Sequence, residues 1–109
     1  MIQYTTPTIT VTITGVALDA SDDVWLTLQP QSKGNLAGEA LTVESPTVRV
    51  EGTDTIVSAK LTQEQSAALP KGSCYVQVNW LSSDGTRCAT TRGNVMVQEN
   101  LLPEVKARN

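Results

Sequence analysis

From Thr8 to Thr14 polar and apolar residues alternate without a break, with Ile9, Val11 and Ile13 in the odd positions and Thr in every even one. Successive side chains of a strand point to opposite faces, so this period of two predicts a strand with one buried face and one Thr face. Gly15 ends it, and Asp19-Ala20-Ser21-Asp22-Asp23 reads as a turn-rich loop. In Val24-Trp25-Leu26-Thr27-Leu28 the even residues are apolar, which turns Trp25 outward. Residues 29–38 carry Pro30, Gly34, Asn35 and Gly38 and read as a connection. Short strands at 40–44 and 47–51 flank Ser45-Pro46, Gly52-Thr53-Asp54 turns the chain, and residues 55–61 form a fifth strand.

That strand runs into Thr62-Gln63-Glu64-Gln65-Ser66-Ala67-Ala68-Leu69, where Thr62 and Gln65 have the spacing of a capping box ahead of Pro70. One or two helical turns are expected there. Cys74-Tyr75-Val76-Gln77-Val78-Asn79-Trp80 alternates with its even residues inward, which makes Trp80 the large residue near the middle of the core. Asp84-Gly85 form the centre of the best hairpin turn, and the chain returns over 87–97 with Gly93 marking a bulge. Seven short strands and one crossover helix fit an all-β, immunoglobulin-like antiparallel sandwich over residues 1–98, with a small open barrel as the alternative. Residues 99–109, with Leu101, Leu102 and Val105, form a tail or a short docking helix.

Composition agrees, since 15 Thr and 12 Val stand against no Phe and no His. β-Branched side chains pack well on a pleated surface. Without His there is no Ser-His-Asp or Cys-His nucleophile system, no histidine metal site and no imidazole switch. A net charge of -3 without a basic run argues against nucleic acid. No apolar stretch is long enough to span a membrane, and the start Met1-Ile2-Gln3-Tyr4 lacks the regions of a signal peptide, so synthesis in the cytosol is expected. With Asp84-Gly85 as the turn, Cys74 faces Val95 and Cys88 faces Leu81. The sulfurs are then roughly 23 Å apart along the strands, far beyond the Cα separation of about 7 Å that a disulfide tolerates. Free thiols are expected.

Few residues invite chemistry. Asp19, Asp22 and Asp23 have the residue types of a Ca²⁺ loop but not a complete ligand spacing, and they equally suit a solvated turn. Glu51 and Asp54 read as turn charges, and Ser82-Ser83-Asp84-Gly85 as a turn. No catalytic, cofactor or metal residue is assigned. The outward set Trp25, Tyr75, Gln77 and Asn79 is different, because aromatics beside amides suit a protein interface or stacking on a sugar ring, with packing of Trp25 and Tyr75 under a loop or the helix as the alternative. The tail residues Leu101, Leu102 and Val105 either fold back or dock on another chain.

Residues 61–66 (Leu-Thr-Gln-Glu-Gln-Ser), 70–80 (Pro-Lys-Gly-Ser-Cys-Tyr-Val-Gln-Val-Asn-Trp), the turn Ser83-Asp84-Gly85-Thr86-Arg87 and Asn100-Leu101-Leu102 resemble small immunoglobulin-like β-sandwich proteins of tailed phages and prophages. The resemblance covers the C-terminal half and rests on structural motifs. It implies a non-enzymatic tail or baseplate protein that associates with itself or with other virion proteins, located in the virion or, before assembly, in the host cytoplasm. No functional residues carry over. The two Cys and the segment 29–38 depart from the pattern. A carbohydrate-binding or adhesion module with Trp25 and Tyr75 as stacking platforms is the alternative.

Overall fold

The computed structural model describes residues 1–108. In chain order the elements are β1 (Thr8–Ile13), β2 (Asp23–Ser32), β3 (Asn35–Leu36), β4 (Leu41–Val43), β5 (Thr47–Glu51), β6 (Asp54–Lys60), α1 (Gln63–Ala68), β7 (Gly72–Leu81), β8 (Arg87–Ala89) and β9 (Gly93–Val97). A small sheet has the order β1-β6-β5. In the large sheet β2 and β7 are central, with β3 and β4 along the outer side of β2 and β8 and β9 along the outer side of β7. The strand pairings are antiparallel. One apolar cluster joins Ile9, Ile13, Val57 and Ala59 of the small sheet to Val24, Leu26, Leu28, Cys74, Val76, Val78 and Val97 of the large one. This connectivity is that of an immunoglobulin-like sandwich, and the alternation in β1, β2 and β7 puts the expected residues inside.

The helix follows its sequence signal. Thr62 Oγ1 accepts the Gln65 backbone N–H at 3.1 Å, and Gln65 Oε1 accepts that of Thr62 at 2.9 Å. Ser66, fully buried, donates its hydroxyl to Thr5 O at 2.7 Å and ties α1 to the N-terminal segment.

Three expectations need correction. Residues 29–38 are not a plain connection: β2 continues to Ser32, turns at Lys33-Gly34 and returns as β3. Both turn residues have positive φ, 52° and 83°, the geometry of a type I′ hairpin with Lys where Asn or Asp is usual. Pro30 fits inside β2 because its carbonyl accepts Ala37 N–H at 2.9 Å on the outer side of the strand. Its missing donor therefore faces the gap between β4, which pairs as far as Leu28, and β3, which pairs from Gln31.

The second concerns the last hairpin. Gly85 N–H donates to Ser82 O and Ser82 N–H to Thr86 O, both at 2.9 Å, while Gly85 has φ 88°. Ser83 and Asp84 are thus the central pair and Gly85 is the left-handed residue of a three-residue loop. The register moves by one, so Cys88 lies opposite Trp80 rather than Leu81. Before Cys74 meets Val95, as the sequence predicts, β9 must regain that residue. Thr90, Thr91 and Arg92 accordingly stand against only Gln77 and Val78. The bulge ends at Gly93, where an added Cβ would come within 3.1 Å of Val76 Cγ1.

The third is Trp80. It is half-buried and packs against the margin of the core, because it lies one residue from the end of β7. The fully buried centre is built from Leu26, Leu28, Val57 and Val78. Thr55 is also fully buried, donating to Val16 O at 2.7 Å and accepting Leu18 N–H at 3.0 Å.

Candidate functional site

The β2–β7 register sets Trp25 opposite Asn79, Thr27 opposite Gln77 and Gln29 opposite Tyr75. Trp25, Tyr75, Gln77 and Asn79 therefore share the outward face of the two central strands, each half-buried. Four positions of the ladder separate Trp25 from Tyr75, about 13 Å at the rise of a strand. Between them runs a trough in two parts that share Thr27. The larger, about 400 Å³, is lined by Trp25, Thr27, Thr42, Glu44, Asn79 and Arg87. The smaller, about 180 Å³, is lined by Thr27, Gln29, Leu36, Tyr75, Gln77 and Arg92.

Internal bonds fix this surface. Tyr75 donates its hydroxyl to Gly34 O at 3.3 Å, and the Arg92 guanidinium lies 5.0 Å from the centre of its ring. Gln77 Nε2 donates to Thr90 O at 2.8 Å, Gln29 Nε2 to the carbonyls of Pro30, Ala37 and Gly38, and Arg87 to Asn79 Oδ1 at 3.4 Å. The Gln29 and Gln77 amides thus keep their Oε1 atoms as acceptors. Two of the chain's four Arg and one of its eleven carboxylates line the trough. Stacking, hydrogen bonding and apolar contact are the chemistry it offers.

Arg87, Arg92, Leu36 and Glu44 escape the sequence reading. The bulge at 90–92 breaks the parity that would have placed Arg92, and Leu36 belongs to the hairpin hidden behind Lys33-Gly34. That Lys33-Gly34 can be a type I′ turn was the one available signal.

The tail is a separate place. Leu101, Leu102 and Val105 are 102%, 53% and 48% exposed, and residues 99–108 form no helix. Gln63 Nε2 donates to Lys106 O at 2.6 Å, and Gln63 Oε1 accepts Lys106 N–H at 2.7 Å. Asn100 Nδ2 donates to Gln3 O at 3.0 Å. Leu102 lines a shallow hollow with Tyr4, Thr6 and Gln63, not the trough.

The remaining candidates serve turns. Asp22 Oδ2 accepts Asp19 N–H at 2.9 Å, Asp19 Oδ1 accepts Ser21 N–H at 3.1 Å, Asp54 Oδ1 accepts Gly15 N–H at 2.8 Å, and Glu51 pairs with Arg49 at 3.1 Å. Among the described residues no group of three or more Cys, Asp or Glu is placed to hold a metal ion. Both cysteines are free: Cys74 is buried, which pushes its thiol pKa up, and Cys88 is exposed. Among the described residues no helix is long and apolar enough to cross a membrane. No protein-family model, curated protein or solved structure matches the chain.

Proposed function

We propose that the chain is a non-enzymatic association module, a structural component of a phage or prophage virion of the tail or baseplate kind. The observation that carries association is the make-up of the trough. Aromatics and Arg are enriched, and carboxylates and Lys depleted, at the contact surfaces of proteins relative to the rest of their surface. Trp25, Tyr75, Arg87 and Arg92 gather on one face with a single carboxylate, Glu44, and no Lys in its lining. The virion setting rests on the resemblance of the C-terminal half. Partners are other virion proteins or further copies of the chain, without nucleic acid or membrane, and the site of action is the virion or, before assembly, the host cytoplasm.

Co-expression with the products of the adjacent genes, followed by crosslinking and mass spectrometry, tests this reading. The expected outcome is a complex whose crosslinks start from Lys33, at the turn whose Gly34 accepts Tyr75, and which is lost in Trp25→Ala. Recovery of the chain alone would sink the proposal, as would a complex indifferent to Trp25→Ala and Tyr75→Ala.

A carbohydrate-binding or adhesion module is favoured by one feature, the fixed Gln29 and Gln77 amides beside Tyr75. An array of neutral glycans decides it: binding lost on Trp25→Ala supports this reading, and an array without a hit removes it.

A further inference from the structure

The core is open along one side of the sandwich. β5 is an outer strand of the small sheet, and its register pairs Val48 with Val57 and Val50 with Thr55. Those partners are fully buried, yet Val48 and Val50 on the same face are 38% and 44% exposed, because the large sheet ends on that side in the three-residue β4. A cleft of about 470 Å³ remains, floored by Val24, Val48 and Val50 and rimmed by Asp22, Asp23 and Glu44, with no Lys or Arg in its lining. Gly52-Thr53 is a two-residue turn closed by the Glu51–Asp54 pair, so β5 bonds to β6 through Thr47, Arg49 and Glu51. The N–H and C=O groups of Val48 and Val50 consequently face the open edge, a ready template for another strand.

A second β5 fits this edge badly. Antiparallel pairing that sets Val48 against Val50 of the other copy puts Arg49 directly opposite Arg49, and like charges so placed repel. The C-terminal tail fits better. Val105-Lys106-Ala107-Arg108 alternates apolar and cationic residues, lies outside any helix or strand, and is exposed. In an added strand Lys106 and Arg108 lie on the cleft side, their aliphatic stems over Val48 and Val50 and their charges at the carboxylate rim. The hollow beside the other outer strand, β1, is lined by Arg92 and no carboxylate, and attracts no cationic strand.

We propose that residues 105–108 of one copy add as a strand to β5 of the next, exchanging the exposed Gln63–Lys106 bonds for backbone pairing. This rests on the association reading and names its partner, a second copy in head-to-tail contact. Such a contact is heterologous, so it closes into a ring or continues as a filament.

Sedimentation velocity of the full chain over a range of concentrations and salt tests it. Expected is reversible, salt-sensitive self-association that weakens at least about tenfold in Lys106→Glu/Arg108→Glu and in Asp23→Lys/Glu44→Lys. Mixing these two charge-reversed chains should restore the assembly, with the two chains alternating. Val50→Pro, which removes an outward N–H and no hydrogen bond between β5 and β6, should abolish assembly with an unchanged circular dichroism spectrum. Should that variant misfold, the charge exchange decides. A parent that stays monomeric throughout, or assembly indifferent to both charge reversals, overturns tail exchange. Trp25→Ala separates the two readings: self-association that survives it while the partner complex is lost places the two contacts on different surfaces. Self-association lost in Trp25→Ala but kept in both charge-reversed chains refutes tail exchange and leaves the association module standing.

Discussion

Thr90 Oγ1 accepts the backbone N–H of Val78 at 3.1 Å, and Thr90 N–H donates to Val78 O at 2.9 Å. A side chain thus stands where a ladder carbonyl would be, at the point where the outer strand carries one residue too many. Thr90→Val keeps the shape and leaves the Val78 donor without its partner. The expected loss is about 1–2 kcal/mol in urea unfolding, with Thr90→Ser closer to the parent.

Thr55 is a stricter case, because its fully buried hydroxyl satisfies both Val16 O and Leu18 N–H. Thr55→Val strands both groups and should cost about 2–3 kcal/mol. Thr55→Ser retains both bonds and should cost only the lost methyl, about 1 kcal/mol. Equal losses from the two variants in chemical denaturation would contradict this account.

Lys33 occupies left-handed backbone, φ 52°, in the type I′ turn. Gly or Asn there relieves strain of about 1 kcal/mol. Lys33→Gly and Lys33→Asn should each raise the Tm, and a fall in both would argue against the turn.

Asp84 has its pKa lowered from 3.8 to about 2, first by the Ser82 hydroxyl and then by Thr86 N–H. A carboxyl whose folded pKa is depressed stabilises the fold above its unfolded pKa and loses that effect as pH falls through the folded one. Between about pH 4 and pH 2 the parent should therefore lose more Tm than Asp84→Asn does. Parallel curves would show that the carboxylate does not hold the turn.

The thiols should differ sharply. Cys88 is exposed, whereas Cys74 is buried with its pKa raised by burial. Iodoacetamide should label Cys88 alone in the native state and both after denaturation, read by intact mass. Rapid native labelling of Cys74 would contradict its placement.

What the sequence conveys here depends on whether local rules act alone. Thr8 to Ile13 and the even residues of β7 announce their faces because one side of each is buried, and Thr62 with Gln65 announces the helix start. Trp25, Tyr75, Gln77 and Asn79 follow from the same alternation. Arg92 does not, since parity fails across a bulge, nor does Leu36, which a Lys in a left-handed turn conceals. The exposure of Val48 and Val50 is illegible for another reason. Their alternation reads as buried, and only the shortness of β4, a tertiary fact, leaves them open.

Pro30 and the Thr90 bulge each interrupt one margin of the large sheet, so β3, β4, β8 and β9 are all five residues or fewer. Fibril growth needs long, flat, uninterrupted templates in register with one another. The large sheet, whose central strands run to ten residues each, is thereby protected against uncontrolled stacking at both of its sides. Even at high local concentration the chain then offers amyloid no long edge on this sheet.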